Sequence, residues 1–274
     1  MILVNGFAAT HVPVQDRGLQ YGDGVFETIA VCNGEPLLWS RHLARLQLGC
    51  SRLRLPAPDG QQLYDEAAKL CRDSTRAVLK LIITRGSAGR GYRSPVEGTA
   101  TRIMMRLPFP DYPPHGYRDG IRTRICQLRL GHNPLLAGIK HLNRLEQVLA
   151  RQEWDDDDIT EGLLRDSDGL VIEGTMSNLF IVRNRQLLTP ELTQCGVAGV
   201  MREVIIEQAA ALGLGCRITT LTVEDLRQAD ELMCCNSLGG LWPVRQVDEQ
   251  NYPVGALTRQ LQQALGKQTP PCVC

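Results

Sequence analysis

The sequence predicts an α+β fold in two domains. Strand-like and helical segments are mixed along the 274 residues, and a proline-rich stretch at 108–114 separates them. Proline removes backbone donors and restricts the residue before it, so this stretch has the stiffness of a linker. We therefore predict a smaller N-terminal α+β domain over residues 1–108, a linker over 109–118 and a larger C-terminal domain over 119–274.

Turn residues and apolar periodicity predict the elements of the first domain. Asn33-Gly34 lies between two apolar runs and indicates a β-hairpin. Ser40 is predicted to cap a helix, because leucines at 43, 46, 53 and 55 follow it with helical spacing. A second helix is predicted over residues 61–73. The predicted strands are residues 1–5, 25–31, 77–84 and 101–106.

The second domain is predicted by the same signals. Asp166-Ser-Asp-Gly169 is typical of a hairpin turn, and Gly213 is predicted to end a helix in a left-handed cap. A last central strand, residues 231–235, leads into a loop that begins at Asn236. The other predicted strands are residues 121–130, 161–165, 170–172, 178–183 and 186–189. The predicted helices are residues 142–154, 199–212 and 224–229.

Composition favours a small-molecule function. The 30 basic and 30 acidic side chains balance, so no overall field attracts nucleic acid or an acidic membrane. No apolar run approaches the roughly 18 residues of a membrane span, and no export signal is recognisable, so we expect a soluble cytoplasmic protein with reduced cysteines. Four aspartates at 155–158 are interpreted as a solvated loop, and no metal site is predicted.

Three segments have the chemistry of a pyridoxal phosphate site. Lys140 offers an amine for the aldehyde, and Glu173 offers a carboxylate for the ring nitrogen. Residues 196–202 form a glycine-rich turn that opens a helix, whose free N–H groups suit a phosphate. An isolated lysine is usually exposed, but apolar neighbours are expected to desolvate this amine. Those neighbours are Leu135, Leu136, Ala137 and Ile139.

Other polar residues have both a structural and a functional interpretation. Arg45, one turn beyond His42, suits either a surface ion pair or a phosphate. Thr28 follows a turn that would direct its hydroxyl to a cleft, although strand hydroxyls are commonly structural. Arg90 and Tyr92 lie in a glycine-rich loop that lacks the phosphate-loop pattern and is better suited to carboxylates, or is simply a solvated turn.

Taken together, these segments resemble the fold-type IV pyridoxal phosphate enzymes, which include branched-chain and D-amino acid aminotransferases and aminodeoxychorismate lyases. The similarity runs from residues 16–28, Asp-Arg-Gly-Leu-Gln-Tyr-Gly-Asp-Gly-Val-Phe-Glu-Thr, to residues 242–244, Trp-Pro-Val. It implies a C-terminal cofactor-binding domain with a β-barrel-like core and a homodimer. It also implies that Lys140 bonds to the aldehyde and Glu173 pairs with the ring nitrogen. The implied phosphate ligands are Arg45, Ser237 and the amides of Val200 and Met201.

Within that family, residues 136–148 and 85–92 are most similar to the lyases. Asn236, where aminotransferases tend to have a small residue, favours the same branch and is a candidate cofactor and substrate contact. The resemblance implies conversion of 4-amino-4-deoxychorismate to 4-aminobenzoate and pyruvate, with Thr28 as proton donor and Arg90 and Tyr92 as carboxylate ligands. A D-amino acid or branched-chain aminotransferase is the alternative enzyme. A non-catalytic binding module is a third reading, which the presence of Lys140 and Glu173 disfavours.

Overall fold

The structure, a computed structural model, describes residues 1–94 and 98–266. Helices and strands are mixed in the described residues, as expected for an α+β protein. The chain divides into two compact units. The first is Met1–Pro110 with Ile139–Asn143, and the second is Asp111–Gly138 with Arg144–Cys274.

The first unit contains a six-stranded antiparallel sheet with helices packed against it. Its strands are β1 (Ile2–Val4), β2 (Phe7–Ala8), β3 (Gly24–Cys32), β4 (Glu35–Pro36), β5 (Arg76–Thr84) and β6 (Thr101–Leu107). Their order across the sheet is β2-β1-β6-β5-β3-β4. Its helices are α1 (Arg17–Tyr21), α2 (Trp39–Leu53) and α3 (Gly60–Cys71). Alternate residues of the long strands, together with α2 and α3, form one apolar core.

Local signals predict this unit well, apart from one helix cap. Asn33 and Gly34 both have positive φ, 50° and 85°, which is the geometry of a type I′ hairpin turn, and β3 pairs with β4 as predicted. The prediction that Ser40 caps α2 is wrong. The helix begins at Trp39, and its cap is Leu38, in the left-handed conformation with no side-chain hydrogen bond.

The second unit contains a nine-stranded mixed sheet. Its strands are β7 (Ile121–Leu130), β8 (Ile159–Asp166), β9 (Val171–Gly174), β10 (Asn178–Arg183), β11 (Gln186–Pro190), β12 (Cys216–Thr219), β13 (Glu231–Asn236), β14 (Gly240–Val247) and β15 (Gln250–Asn251). Eight of them follow the order β12-β11-β10-β13-β14-β7-β8-β9. Val171, which begins one edge strand, donates to Leu221, just beyond the other edge strand. The sheet is therefore curled, as a barrel-like core requires.

Five helices accompany this sheet in the described ranges: α4 (Pro114–Asp119), α5 (Leu145–Arg151), α6 (Val200–Ala211), α7 (Val223–Arg227) and α8 (Ala256–Gly266). Gly213 has φ +70°, which confirms the predicted left-handed end after α6. The helix predicted over 142–154 is shorter, because residue 142 pairs with Gly24 instead. The prediction that 231–235 is the last central strand is wrong, since β14 follows it and pairs with β7.

Within the two described ranges, no helix is long and apolar enough to cross a membrane. Seven cysteines there are free thiols: Cys50, Cys71, Cys126, Cys195, Cys216, Cys234 and Cys235.

Candidate active site

Lys140 lies on a short segment that extends the sheet of the first unit beside β3. The amide of Phe26 donates to the Lys140 carbonyl at 2.9 Å, and the amide of Leu142 donates to the Gly24 carbonyl at 3.0 Å. The Lys140 ammonium is 4.5 Å from the centroid of the Phe26 ring, a cation–π contact. These contacts fix the amine against a strand rather than leaving it on a mobile surface.

The apolar residues expected to desolvate this amine differ in their own burial. Ile139 and Ala137 are buried and Leu136 is partly buried, but Leu135 is 81% exposed. The prediction that Leu135 shields the amine is therefore wrong. Lys140 itself is partly buried.

Thr28 shares a face of β3 with Phe26, because alternate residues of a strand point the same way. The opposite face carries Val25 and Ile29 into the core. Thr28 is partly buried and is paired in register with Lys80 of β5. The structure thus brings the Thr28 hydroxyl and the Lys140 amine to the same side of the sheet.

Arg45 forms an ion pair with the buried Glu27, a partner that was not expected from the sequence. Its Nε donates to Oε1 of Glu27 at 2.8 Å and its Nη2 donates to Oε2 at 2.5 Å. Nδ1 of His42 is 2.6 Å from the same carboxylate. Glu27 is only 1% exposed, so the guanidinium is held in one orientation. A charged residue inside an apolar strand was the available signal for this partner.

Burial and the Arg45 charge act in opposite directions on Glu27. Burial raises the pKa of this carboxyl, but the charge and hydrogen bonds of Arg45, helped by His42, outweigh it and lower the pKa to about 2. Burial lowers the pKa of His42, against the attraction of Glu27. A neutral His42 that donates its Nδ1 proton to ionised Glu27 is consistent with both shifts.

The loop with Arg90 and Tyr92 is exposed, and Tyr92 is 85% exposed. Arg85, at the start of this loop, has a structural role. Its guanidinium donates to Asp23 at 2.7 and 3.0 Å and to the carbonyls of Leu53 and Arg54 where α2 ends. Arg85 is therefore occupied by the protein, while Arg90 and Tyr92 stay predicted carboxylate ligands.

Glu173 lies in the second unit, on β9, and is buried. Its Oε2 accepts a hydrogen bond from the Val197 amide at 2.8 Å. Gly196 makes this approach possible, because it has φ +83° and a Cβ there would lie 2.8 Å from Ile172. Burial lowers the pKa of the nearby Arg144 guanidinium, against the opposing charge of Glu173. A buried carboxylate is thus held in place by the main chain and faces a cation.

Glu161, which the sequence analysis did not select, organises the turn that follows Glu173. It is fully buried and accepts hydrogen bonds from the amides of Thr175 and Met176 and from the hydroxyls of Thr175 and Ser177, at 2.6 to 3.2 Å. Burial raises its pKa, and these hydrogen bonds lower it. We conclude that Glu161 fixes the chain between Glu173 and β10.

The amino end of α6 has the features of an anion site. No side chain caps this 12-residue helix, and Val200 and Met201 form its first turn. The preceding backbone is held by Asn178, whose Nδ2 donates to the Val197 carbonyl at 2.8 Å. A Cβ at Gly199 would lie 2.0 Å from Oδ1 of Asn178, so this approach requires glycine.

Asn236 ends β13 and Ser237 follows it; Cys235 of this strand pairs in register with Asn178. Asn178 holds the backbone that precedes α6, so Asn236 and Ser237 lie at the end of the strand next to this contact. Oδ1 of Asn236 accepts the amides of Leu238 and Gly239, at 3.0 and 2.7 Å. This side chain thus stabilises its own turn, and its amide nitrogen is the part suited to a ligand. Ser237 is partly buried.

Each unit, considered by itself, supplies groups that suit a part of pyridoxal phosphate. The first unit supplies the amine of Lys140 and the oriented guanidinium of Arg45. The second supplies the buried carboxylate of Glu173 and the uncapped start of α6, which suits a phosphate. The assignment of individual residues to cofactor and substrate remains a prediction.

A sequence profile of the Amino-transferase class IV family matches residues 24–247. The chain belongs to that family. The match includes the segments with Lys140 and Glu173, the start of α6 and the turn after β13.

Comparison with individual proteins gives near full-length similarities. The chain is 40% identical over 267 residues to an aminodeoxychorismate lyase of Vibrio harveyi, covering 96% of this chain and 98% of that protein. It is 48% identical to a crystallised 4-amino-4-deoxychorismate lyase of Pseudomonas aeruginosa, with a TM-score of 0.95 and coverages of 97% and 98%. A branched-chain amino acid aminotransferase of Escherichia coli has a TM-score of 0.89 at 27% identity, with coverages of 98% and 96%.

Proposed function

We propose that this protein is a pyridoxal phosphate-dependent lyase that converts 4-amino-4-deoxychorismate to 4-aminobenzoate and pyruvate, a reaction of folate biosynthesis. The similarity to two lyases at 40% and 48% identity, over nearly the whole of each chain, carries the proposal. The amine, carboxylate and anion site described above agree with it.

The residues present suggest how the cofactor is held. Lys140 would hold the aldehyde through its amine, and Glu173 would pair with the ring nitrogen. Arg45, Ser237 and the amides of Val200 and Met201 would hold the phosphate. When bound, the cofactor supplies an electron sink for the substrate carbon next to the amine.

The chain's own residues then move two protons. The Lys140 amine removes the proton at C4 of the substrate, and the Thr28 hydroxyl protonates the ether oxygen as its bond to C3 breaks. The enolpyruvyl group leaves and becomes pyruvate, and the six-membered ring becomes aromatic. Aromatisation drives the reaction, so the protein mainly has to position the groups and transfer protons.

An aminotransferase is the second candidate, because the similarity to the branched-chain enzyme of Escherichia coli also extends over nearly the whole chain. It would use the same Lys140 and Glu173. Addition of D-alanine or a branched-chain amino acid, followed by absorption spectroscopy, separates the two. A transaminase would convert the cofactor fully to the pyridoxamine form, and a lyase would hardly do so.

The direct test is to incubate the holoenzyme with 4-amino-4-deoxychorismate and follow 4-aminobenzoate and pyruvate together. We expect the two products in equal amounts from the wild type and none above background from Lys140→Ala. Lys69→Ala, which removes an exposed lysine of α3, is the matched control and should retain activity. Equal product formation by the Lys140→Ala variant would contradict the assigned role.

The proposal includes a homodimer in the cytoplasm. Leu145, Val148 and Leu149 lie on one side of α5 and are 75%, 50% and 54% exposed. A second copy of the chain would cover this apolar side. Light scattering of the purified protein should give twice the mass of the chain, and a monomer mass would contradict the dimer.

A further inference from the structure

Arg17 is a buried cation that contacts the backbone of the loop with Arg90 and Tyr92. It is 3% exposed, and its Nε donates to Oδ2 of Asp23 at 2.8 Å. Its Nη1 donates to the Gly91 carbonyl at 2.8 Å and its Nη2 to the Tyr92 carbonyl at 3.3 Å. One guanidinium therefore joins the start of β3 to this loop.

An aromatic contact adds to the same connection. The Arg17 guanidinium lies 4.9 Å from the centroid of the Tyr21 ring, and the rings of Tyr21 and Tyr92 are 5.4 Å apart. The stack ties the Tyr92 side chain to α1. Both the backbone and the ring of Tyr92 are thus held from the segment before β3.

Removal of Arg17 would affect this loop more than it would affect Asp23. Asp23 also accepts two hydrogen bonds from Arg85, so it keeps a cation when Arg17 is removed. Residues 89–94, here called the substrate loop, make no main-chain to main-chain hydrogen bond within the part of the chain that the structure describes. There, the carbonyls of the substrate loop accept only the two hydrogen bonds from Arg17.

We propose that Arg17 is a positioning residue that holds the substrate loop in place for binding a substrate carboxylate. The inference rests on the proposed function, because it takes Arg90 and Tyr92 as the carboxylate ligands. The fork geometry of arginine is required, since one guanidinium must donate to a carboxylate and to two carbonyls at once. A lysine at this position would reach fewer of these acceptors.

Limited trypsin digestion tests the anchoring without any turnover. Trypsin cleaves after arginine, and the substrate loop contains Arg90 and Arg93, both exposed. In Arg17→Met holoenzyme we expect cleavage after these two residues to be about 10-fold faster or more, because the loop opens more often. Arg17→Lys should give a smaller increase. Arg102→Met is the matched control, since it breaks another, partly buried ion pair of the same unit, with Glu66.

Steady-state kinetics test the role in substrate binding. Arg17→Met should raise KM for 4-amino-4-deoxychorismate about 10- to 100-fold, with kcat and the dissociation constant of pyridoxal phosphate changed about 3-fold or less. Arg102→Met should leave KM unchanged. Unaltered cleavage, unaltered KM, or a loss of cofactor affinity equal to the rise in KM would overturn the proposal. A wild type without lyase activity would instead refute the proposed function, and trypsin digestion would then decide alone whether Arg17 anchors the loop.

Discussion

The two units hold their charged groups by different means. In the first, Glu27 is neutralised by side chains, Arg45 and His42, and Asp23 by Arg17 and Arg85. In the second, Glu173 and Glu161 accept hydrogen bonds from main-chain amides and hydroxyls. Glu27, whose guanidinium partner is Arg45, loses most of its support with a single substitution. Glu161, which is held by several neutral donors, loses it in small steps.

The largest expected effect is on the stability of the first unit. Glu27→Gln removes the buried negative charge that faces the partly buried Arg45 guanidinium, and we expect the free energy of unfolding to fall by about 3–5 kcal/mol. Urea denaturation measures this. Glu66→Gln, which removes a more exposed ion pair with Arg102, is the control and should cost clearly less. Equal losses of unfolding free energy in the two variants would show that the Glu27 ion pair stabilises the protein no more than the Glu66 ion pair does.

The pH dependence of stability tests the contribution of Glu27 in a second way. A pKa lowered from 4.5 to about 2 on folding contributes about 3 kcal/mol, present above pH 4.5 and lost as the pH falls towards 2. The lowered pKa of His42 acts in the same direction below its ordinary value of 6.5. Urea denaturation between pH 7 and pH 3 should therefore show a steeper decline for the wild type than for Glu27→Gln. Parallel curves would show that Glu27 is not linked to the decline.

Substitution in the second unit should separate chemistry from stability. Glu173→Gln keeps an oxygen for the Val197 amide but removes the negative charge. We expect the rate of 4-aminobenzoate formation to fall on the order of 100-fold, while urea denaturation shows a loss of about 1 kcal/mol or less. If Glu173→Gln is strongly destabilised but its folded molecules form 4-aminobenzoate at the wild-type rate, Glu173 has a structural role and not a chemical one.

The smallest effect is expected where one of several donors is removed. Ser177→Ala takes one hydrogen bond of 2.7 Å from Glu161, which keeps the donors on Thr175 and Met176. We expect a loss of about 1 kcal/mol in the free energy of unfolding, measured by urea denaturation. A loss as large as that of Glu27→Gln would remove the contrast between the units.

Much of the fold could be predicted from local signals, because they act within a few residues. The Asn33-Gly34 hairpin and the end of α6 at Gly213 are examples. Strand β14 was missed, since Pro243 disfavours a strand in the sequence. Ser40 was misread as a cap, because a hydroxyl near a helix start does not reveal which residue takes the left-handed conformation.

The candidate site was predictable as a set of residue types but not as a set of contacts. Lys140, Glu173 and the start of α6 were identified from their chemistry and from a family resemblance. The contact of Lys140 with Phe26 joins residues more than 100 positions apart, and no local pattern reports it. Glu27 and Glu161 were overlooked for a similar reason. Each is an acid within an apolar strand, and its partner becomes visible only in the folded chain.

The most direct test of the central claim is chemical labelling of the cofactor lysine. The holoenzyme is reduced with borohydride, digested, and analysed by mass spectrometry for the mass of the reduced cofactor. We predict this label on Lys140 and its absence from Lys69 and Lys80. A label on either of those lysines, or no label on a protein that forms 4-aminobenzoate, would contradict the account.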